Sequence, residues 1–104
     1  MKRIGFKMIL KSGFQNEYKR RHQNLWPELE ALLKTSGISD YVIYLDEQTN
    51  ILYASQKVND DYDPSRLADH PVMRRWWKYM ADIMETNADI SPVVIPLVEM
   101  FYLE

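Results

Sequence analysis

The chain has 104 residues, 46% of them hydrophobic, enough for one compact domain spanning 1–104 and too few for two. A net charge of −2 and a pI near 5.7 lack the basic footprint of a nucleic-acid partner, and no apolar run reaches the ~20 residues of a membrane helix. Cysteine is absent, which excludes disulfides and thiolate chemistry and is compatible with a cytoplasmic protein.

Arg3 to Leu10 alternates, with Ile4, Phe6, Met8 and Leu10 on one face and Gly5, Lys7 and Ile9 on the other, and predicts a first strand rather than a secretory leader. Gly13 opens a turn. From Phe14 to Ser36 an apolar stripe recurs every three or four residues through Phe14, Tyr18, Leu25, Leu29, Leu32 and Leu33. Glu17, Lys19, Arg20, Arg21, Glu28, Glu30 and Lys34 largely fill the other positions. Gly37 is placed to close this helix in a left-handed cap. Pro27 denies a donor inside it, so a break or kink is expected around Gln23 to Trp26.

Ile38 to Asp46 and Ile51 to Val58 read as two strands joined by a hairpin at Glu47–Asn50. The acidic segment Asn59 to Pro64 reads as a solvated loop leading to a short helical turn at Ser65–Asp69. A second long helix is expected from Pro71 to Glu85, burying Met73, Trp76, Trp77, Met80, Ile83 and Met84, with Arg74, Arg75, Lys78 and Asp82 facing away. Leu97 to Leu103 is β-branched and aromatic enough for a last strand. The order βαββαβ predicts an α+β, ferredoxin-like fold, with both helices on one side of a four-stranded antiparallel sheet. Ile9, Val42, Tyr44 and Phe101 leave the second face partly apolar, which points to a homodimer closed as a two-chain α+β barrel.

Several chemistries are excluded quickly. With only Gly5, Gly13 and Gly37, no phosphate-cradling motif exists, and no serine lies in a nucleophile-elbow context. His22 and His70 have no metal-binding company at ligand spacing, so no metal is expected. What remains is His22 on the apolar stripe one turn after Tyr18, together with Tyr41 and the Trp76-Trp77 pair. Taken alone, each has an ordinary structural reading: a histidine satisfied by backbone, a tyrosine inside a strand, tryptophans in a core. Taken together, an imidazole titrating near neutrality, phenol donors and flat indole faces meet the needs of a neutral monosaccharide.

The combination Tyr18-Lys-Arg-Arg-His22, Trp26-Pro27-Glu28-Leu29, Tyr41-Val-Ile-Tyr-Leu-Asp46, Arg75-Trp76-Trp77-Lys78-Tyr79-Met80, Asn87-Ala-Asp-Ile-Ser91-Pro92 and Phe101-Tyr102-Leu103 closely resembles the L-rhamnose mutarotases over nearly the whole chain. The resemblance implies a cofactor-free, cytoplasmic homodimer that interconverts the α and β anomers of L-rhamnose. It also implies His22 as proton donor and Tyr18, Tyr41, Trp76 and Trp77 as sugar-binding residues. Ser55-Gln56-Lys57, Ala88 and Ile90 depart from the family pattern. Two other readings fit the same scaffold: a cofactor-free monooxygenase, and a non-catalytic sugar-sensing or assembly module.

Overall fold

In the computed structural model, which describes residues 1–104, the strands β1 (Lys2–Ile9), β2 (Ile38–Asp46), β3 (Ile51–Val58) and β4 (Ile95–Pro96) form one antiparallel sheet in the order β2-β3-β1-β4. This is the strand order and direction of a ferredoxin-like α+β domain, as the sequence pattern predicts. The helices are α1 (Gln15–Gln23), α2 (Pro27–Thr35), α3 (Pro64–Asp69) and α4 (Pro71–Met80). None is long and apolar enough to cross a membrane.

Periodicity explains which sheet face the helices cover. Met8 and Leu10 from β1 and its extension, with Leu52 and Ala54 from β3, present one face to Leu29 of α2 and to Met73, Trp76 and Met80 of α4. The opposite face, carrying Val42, Tyr44 and Tyr53, stays exposed.

The expected helical break falls at Asn24–Trp26. Pro27 sits at the first turn of α2, where a missing donor is harmless, and Trp26 turns extended to start that helix. Gly37 does take up a left-handed conformation, with φ of +94°. His70, the second histidine, is a helix cap, since its Nδ1 accepts from the Val72 N–H at 3.1 Å.

Three expectations are corrected. The second long helix ends at Met80, not Glu85, because the following residues are drawn into strand-like pairing with the end of β1. Lys11 N–H donates to the Ile83 carbonyl, Glu85 N–H donates to the Ile9 carbonyl, and Leu10 bridges Met84. Ile83 and Met84 are still buried, by that pairing rather than by helix packing. The last strand is Ile95–Pro96, opposite Phe6 and Lys7, and not Leu97–Leu103. Leu97 gives a final N–H to the Gly5 carbonyl, after which the chain leaves the sheet and Val98, Met100, Phe101 and Leu103 stand exposed. Arg21, assigned to the polar face of its helix, is buried at 8% exposure because it inserts between α1 and the turn after α4.

Candidate active site

Tyr18 and His22 are one helical turn apart on α1 and stack face to face, with ring centroids 4.2 Å apart and planes at 28°. Trp76, from α4, meets the imidazole edge-on at 5.4 Å and 88°. Trp26, placed by the helix break, packs edge-on against the other side of Trp76 at 5.1 Å. The rings thus hold His22 on two sides and leave it few rotamers.

The imidazole's hydrogen bonding sets its chemistry. His22 Nδ1 lies 2.9 Å from the Tyr18 carbonyl oxygen. A carbonyl only accepts, so Nδ1 carries the proton, and in the neutral ring Nε2 is left with a lone pair. Nε2 makes no hydrogen bond to protein and is not sealed off, and the residue lines a half-open cavity of about 1460 Å³. Burial lowers the His22 pKa, and the Tyr18 carbonyl bond opposes the shift only in part. The resting state near neutrality is therefore a neutral imidazole whose Nε2 is unpaired.

Tyr41 enters from the sheet. Its ring meets Phe6 edge-on at 6.3 Å, and it lines the same cavity. The residue keeps 38% of its surface exposed, yet protein surrounds it closely enough that desolvation, with a smaller contribution from Tyr62, pushes its pKa up to about 12. Burial also raises Tyr18, with a smaller effect from Tyr41, which places the two phenols in one electrostatic neighbourhood. Both remain protonated donors at any ordinary pH.

The adjacent tryptophans divide as helical geometry requires, since neighbouring residues diverge by ~100°. Trp76 is buried in the core at 6% exposure, whereas Trp77 is half-buried, lines the cavity and lies under the Arg74 guanidinium at 5.7 Å. Trp77 makes no ring contact with His22. All five residues singled out from the sequence line one cavity, with Tyr18, His22 and Trp76 in direct contact and Tyr41 and Trp77 on its walls.

Sequence reasoning missed Gln56 as a cavity residue. It is a buried side chain at 4% exposure, following Leu52 and Ala54 on the helix-side face of β3. A glutamine interrupting an apolar period-two stripe was the available signal. The loop Asn87–Ser91, quoted above only for its resemblance, also borders the cavity; Asn87 N–H donates to the Ser91 carbonyl at 2.8 Å, and Asp89 accepts from the Ser91 N–H at 3.1 Å.

A ferredoxin-like chain that gathers a neutral imidazole with an unpaired nitrogen, phenols and indoles around one cavity has the makings of a small-molecule site at which a proton could be exchanged. Comparison with known proteins gives this chain a family. The L-rhamnose mutarotase family model matches residues 3–103. An L-rhamnose mutarotase of Flavobacterium johnsoniae is 55% identical over 102 residues, covering 98% of this chain and 95% of that protein. One from Bacteroides thetaiotaomicron is 52% identical over the full length of both chains. The crystal structure of the L-rhamnose mutarotase of Formosa agariphila superposes with a TM-score of 0.93 at 51% identity, covering both chains completely. The chain belongs to the L-rhamnose mutarotase family.

Proposed function

We propose that this isomerase interconverts the α and β pyranose anomers of L-rhamnose, with His22 carrying one proton between two sugar oxygens. The observation that supports this role is the fixed tautomer, with Nδ1 tied to the Tyr18 carbonyl and Nε2 left unpaired on a residue that lines the cavity.

Ring opening moves a proton from the anomeric hydroxyl O1 to the ring oxygen O5, and both oxygens are bonded to the same carbon, C1. Nε2 takes the O1 proton as the C1–O5 bond breaks and the C1–O1 double bond forms. The imidazolium then gives that proton to O5, which makes His22 the donor to the ring oxygen. Rotation about C1–C2 presents the other aldehyde face, and the same steps in reverse close the ring as the other anomer. Because one nitrogen reaches both oxygens in turn, no second titrating side chain is required. A positioned acid–base group contributes typically ~10²–10⁴-fold, which suits a reaction that already proceeds in water.

In this reading the Tyr18 and Tyr41 phenols donate to sugar hydroxyls, and the Trp76 and Trp77 rings pack on the apolar face of the 6-deoxy ring. Family membership favours this activity over an oxygenase or a non-catalytic sensor. The test is NMR exchange between the two anomeric protons of L-rhamnose. Wild-type protein is expected to accelerate exchange and His22→Ala to lose most of that acceleration; equal rates from both would remove His22 from the chemistry.

A second copy of the chain is the proposed partner. The sheet face opposite the helices exposes Val42, Tyr44 and Tyr53, and the tail beyond it exposes Val98, Met100 and Phe101, apolar side chains that a second copy would cover. Sedimentation equilibrium is expected to give twice the 12.4 kDa chain mass. A persistent monomer would overturn the assignment.

A further inference from the structure

Strand β2 contains one irregularity, and it lies next to Tyr41. The pairing with β3 runs Ile38 opposite Val58 and Ser39 opposite Lys57, then resumes with Val42 opposite Ser55 and Ile43 opposite Ala54. Two residues, Asp40 and Tyr41, therefore stand against the single residue Gln56, which is a β-bulge. Side chains alternate along a strand, so its phase fixes which face each one takes. Counted from Ile38 and Ser39 without the extra residue, position 41 would fall opposite Ser55 and point to the outer face. With the bulge it joins Ile43 and Leu45 on the helix side, where it meets Phe6 and the cavity.

The bulge has a conformational cost and a visible restraint. Asp40 has φ of +48°, in the left-handed region that a β-branched residue avoids and that aspartate tolerates better than most. Its carboxylate accepts a hydrogen bond from Arg3 Nη2 on β1, and Lys57 Nζ of β3 lies 3.8 Å from the same oxygen. Arg3 Nη1 also donates to Ser55 Oγ at 2.7 Å, which fixes the guanidinium over β3. The outward residue of the bulge is thus pinned across two strands, and the inward residue is Tyr41.

We propose that Asp40, pinned by Arg3 and Lys57, is a positioning residue that holds the bulge and thereby aims Tyr41 into the sugar cavity. The functional half of this inference rests on Tyr41 contacting the sugar, as proposed above. Irregular strand geometry beside a site is a known way to re-aim one side chain, and here it changes the face on which Tyr41 stands.

The experiment compares Asp40→Gly, Asp40→Asn and Asp40→Val with Tyr41→Phe. It reads the affinity for L-rhamnose by calorimetry and the ¹⁹F signal of 3-fluorotyrosine incorporated at position 41, the latter omitted for Tyr41→Phe. Asparagine keeps an oxygen for Arg3 and is expected to leave both readouts close to wild type, whereas glycine loses the pin and is expected to shift both slightly, as Arg3→Gln does; both accept a positive φ. Valine does not, and is expected to move the ¹⁹F signal and weaken binding about tenfold, the scale of one lost hydrogen bond, matching Tyr41→Phe. Arg3→Gln removes the pin without forcing the backbone, should give a smaller change of the same kind, and serves if the valine variant does not fold. An unmoved ¹⁹F signal in a folded Asp40→Val protein, or equal displacement by glycine and valine, overturns the proposal. If Tyr41→Phe binds normally while valine still moves the signal, the bulge does aim Tyr41, and the sugar-contact reading is what fails.

Discussion

Arg21→Met is expected to destabilise the protein by roughly 2–3 kcal/mol, at or just below the bottom of the ~3–5 kcal/mol cost of breaking a buried ion pair. Arg21 Nη1 donates to the Tyr79 carbonyl at 2.8 Å and to Asp82 Oδ1 at 2.9 Å, Nη2 donates to Asp82 Oδ2 at 3.2 Å, and Nε donates to Glu17 Oε2 at 2.7 Å. Its guanidinium also lies 4.2 Å from the centre of the Tyr79 ring. Methionine keeps most of the volume and removes every donor. Asp82, at 65% exposure, and Glu17, at 31%, recover water when the arginine goes, which is why the upper end of the range does not apply. For a domain of this size ~1 kcal/mol moves Tm by about 4–8 °C, so a fall of roughly 10–20 °C is expected. Urea unfolding of Arg21→Met, Asp82→Asn and the double variant measures the coupling directly; lysine should rescue poorly, because an ammonium cannot reproduce the planar fork. A loss below about 0.5 kcal/mol, typical of an ordinary surface position, would refute the view that this side chain clamps α1 to the end of α4.

Four further outcomes follow, three from the site and one from a helix cap. Since burial lowers the His22 pKa below its ordinary value of 6.5, anomer exchange should be flat above about pH 6.5 and fall as pH drops through the lowered pKa; a rate that rises on acidification would indicate an imidazolium acting first. Linkage has the same sign: a depressed histidine pKa contributes stability that is full above 6.5 and lost as pH falls from 6.5 toward the folded-state pKa, which urea titrations across that window would detect. Trp76→Ala removes a core ring and should cost about 3–5 kcal/mol of stability, whereas half-buried Trp77→Ala should mainly raise KM; calorimetric unfolding beside exchange kinetics separates the two. Gly37→Ala should cost at least about 1–2 kcal/mol, because φ is +94° and the new Cβ would lie 3.1 Å from Asn59, and a wild-type urea midpoint would contradict this.

Local chemistry was legible in the sequence where one residue type dictated one outcome. Pro27 dictated the helix break, Gly37 the left-handed cap, and the paired alternations of β2 and β3 their hairpin. Legibility ended where a long-range partner overrode a local pattern. Nothing between Pro71 and Glu85 announces that β1 claims Ile83 and Glu85, and helical spacing there is as good after Met80 as before it. Likewise Leu97–Leu103 has the composition of a strand, but pairing with β1 is limited to Ile95–Pro96, and composition does not specify a partner edge. Arg21 was misread for the same reason, since its carboxylate Asp82 lies 61 positions away in the chain.

Several of the contacts that shape and support the cavity originate in these irregularities rather than in the regular elements. Trp26 reaches Trp76 because Pro27 forces the chain to leave α1 and restart as α2. Tyr41 reaches the helix side because β2 carries one residue more than β3 at Gln56. α4 stops at Met80, and the turn that follows supplies Asp82 to hold Arg21, the neighbour of His22. A regular βαββαβ scaffold with this composition would still bury Met8, Leu52 and Met73, but would leave Tyr41 outside and α1 without its clamp. Foldedness and catalysis are therefore expected to separate under mutation: substitutions that regularise the backbone at Asp40 should spare stability more than activity, whereas losses at Leu29 or Ile83, both almost fully buried, should take both together.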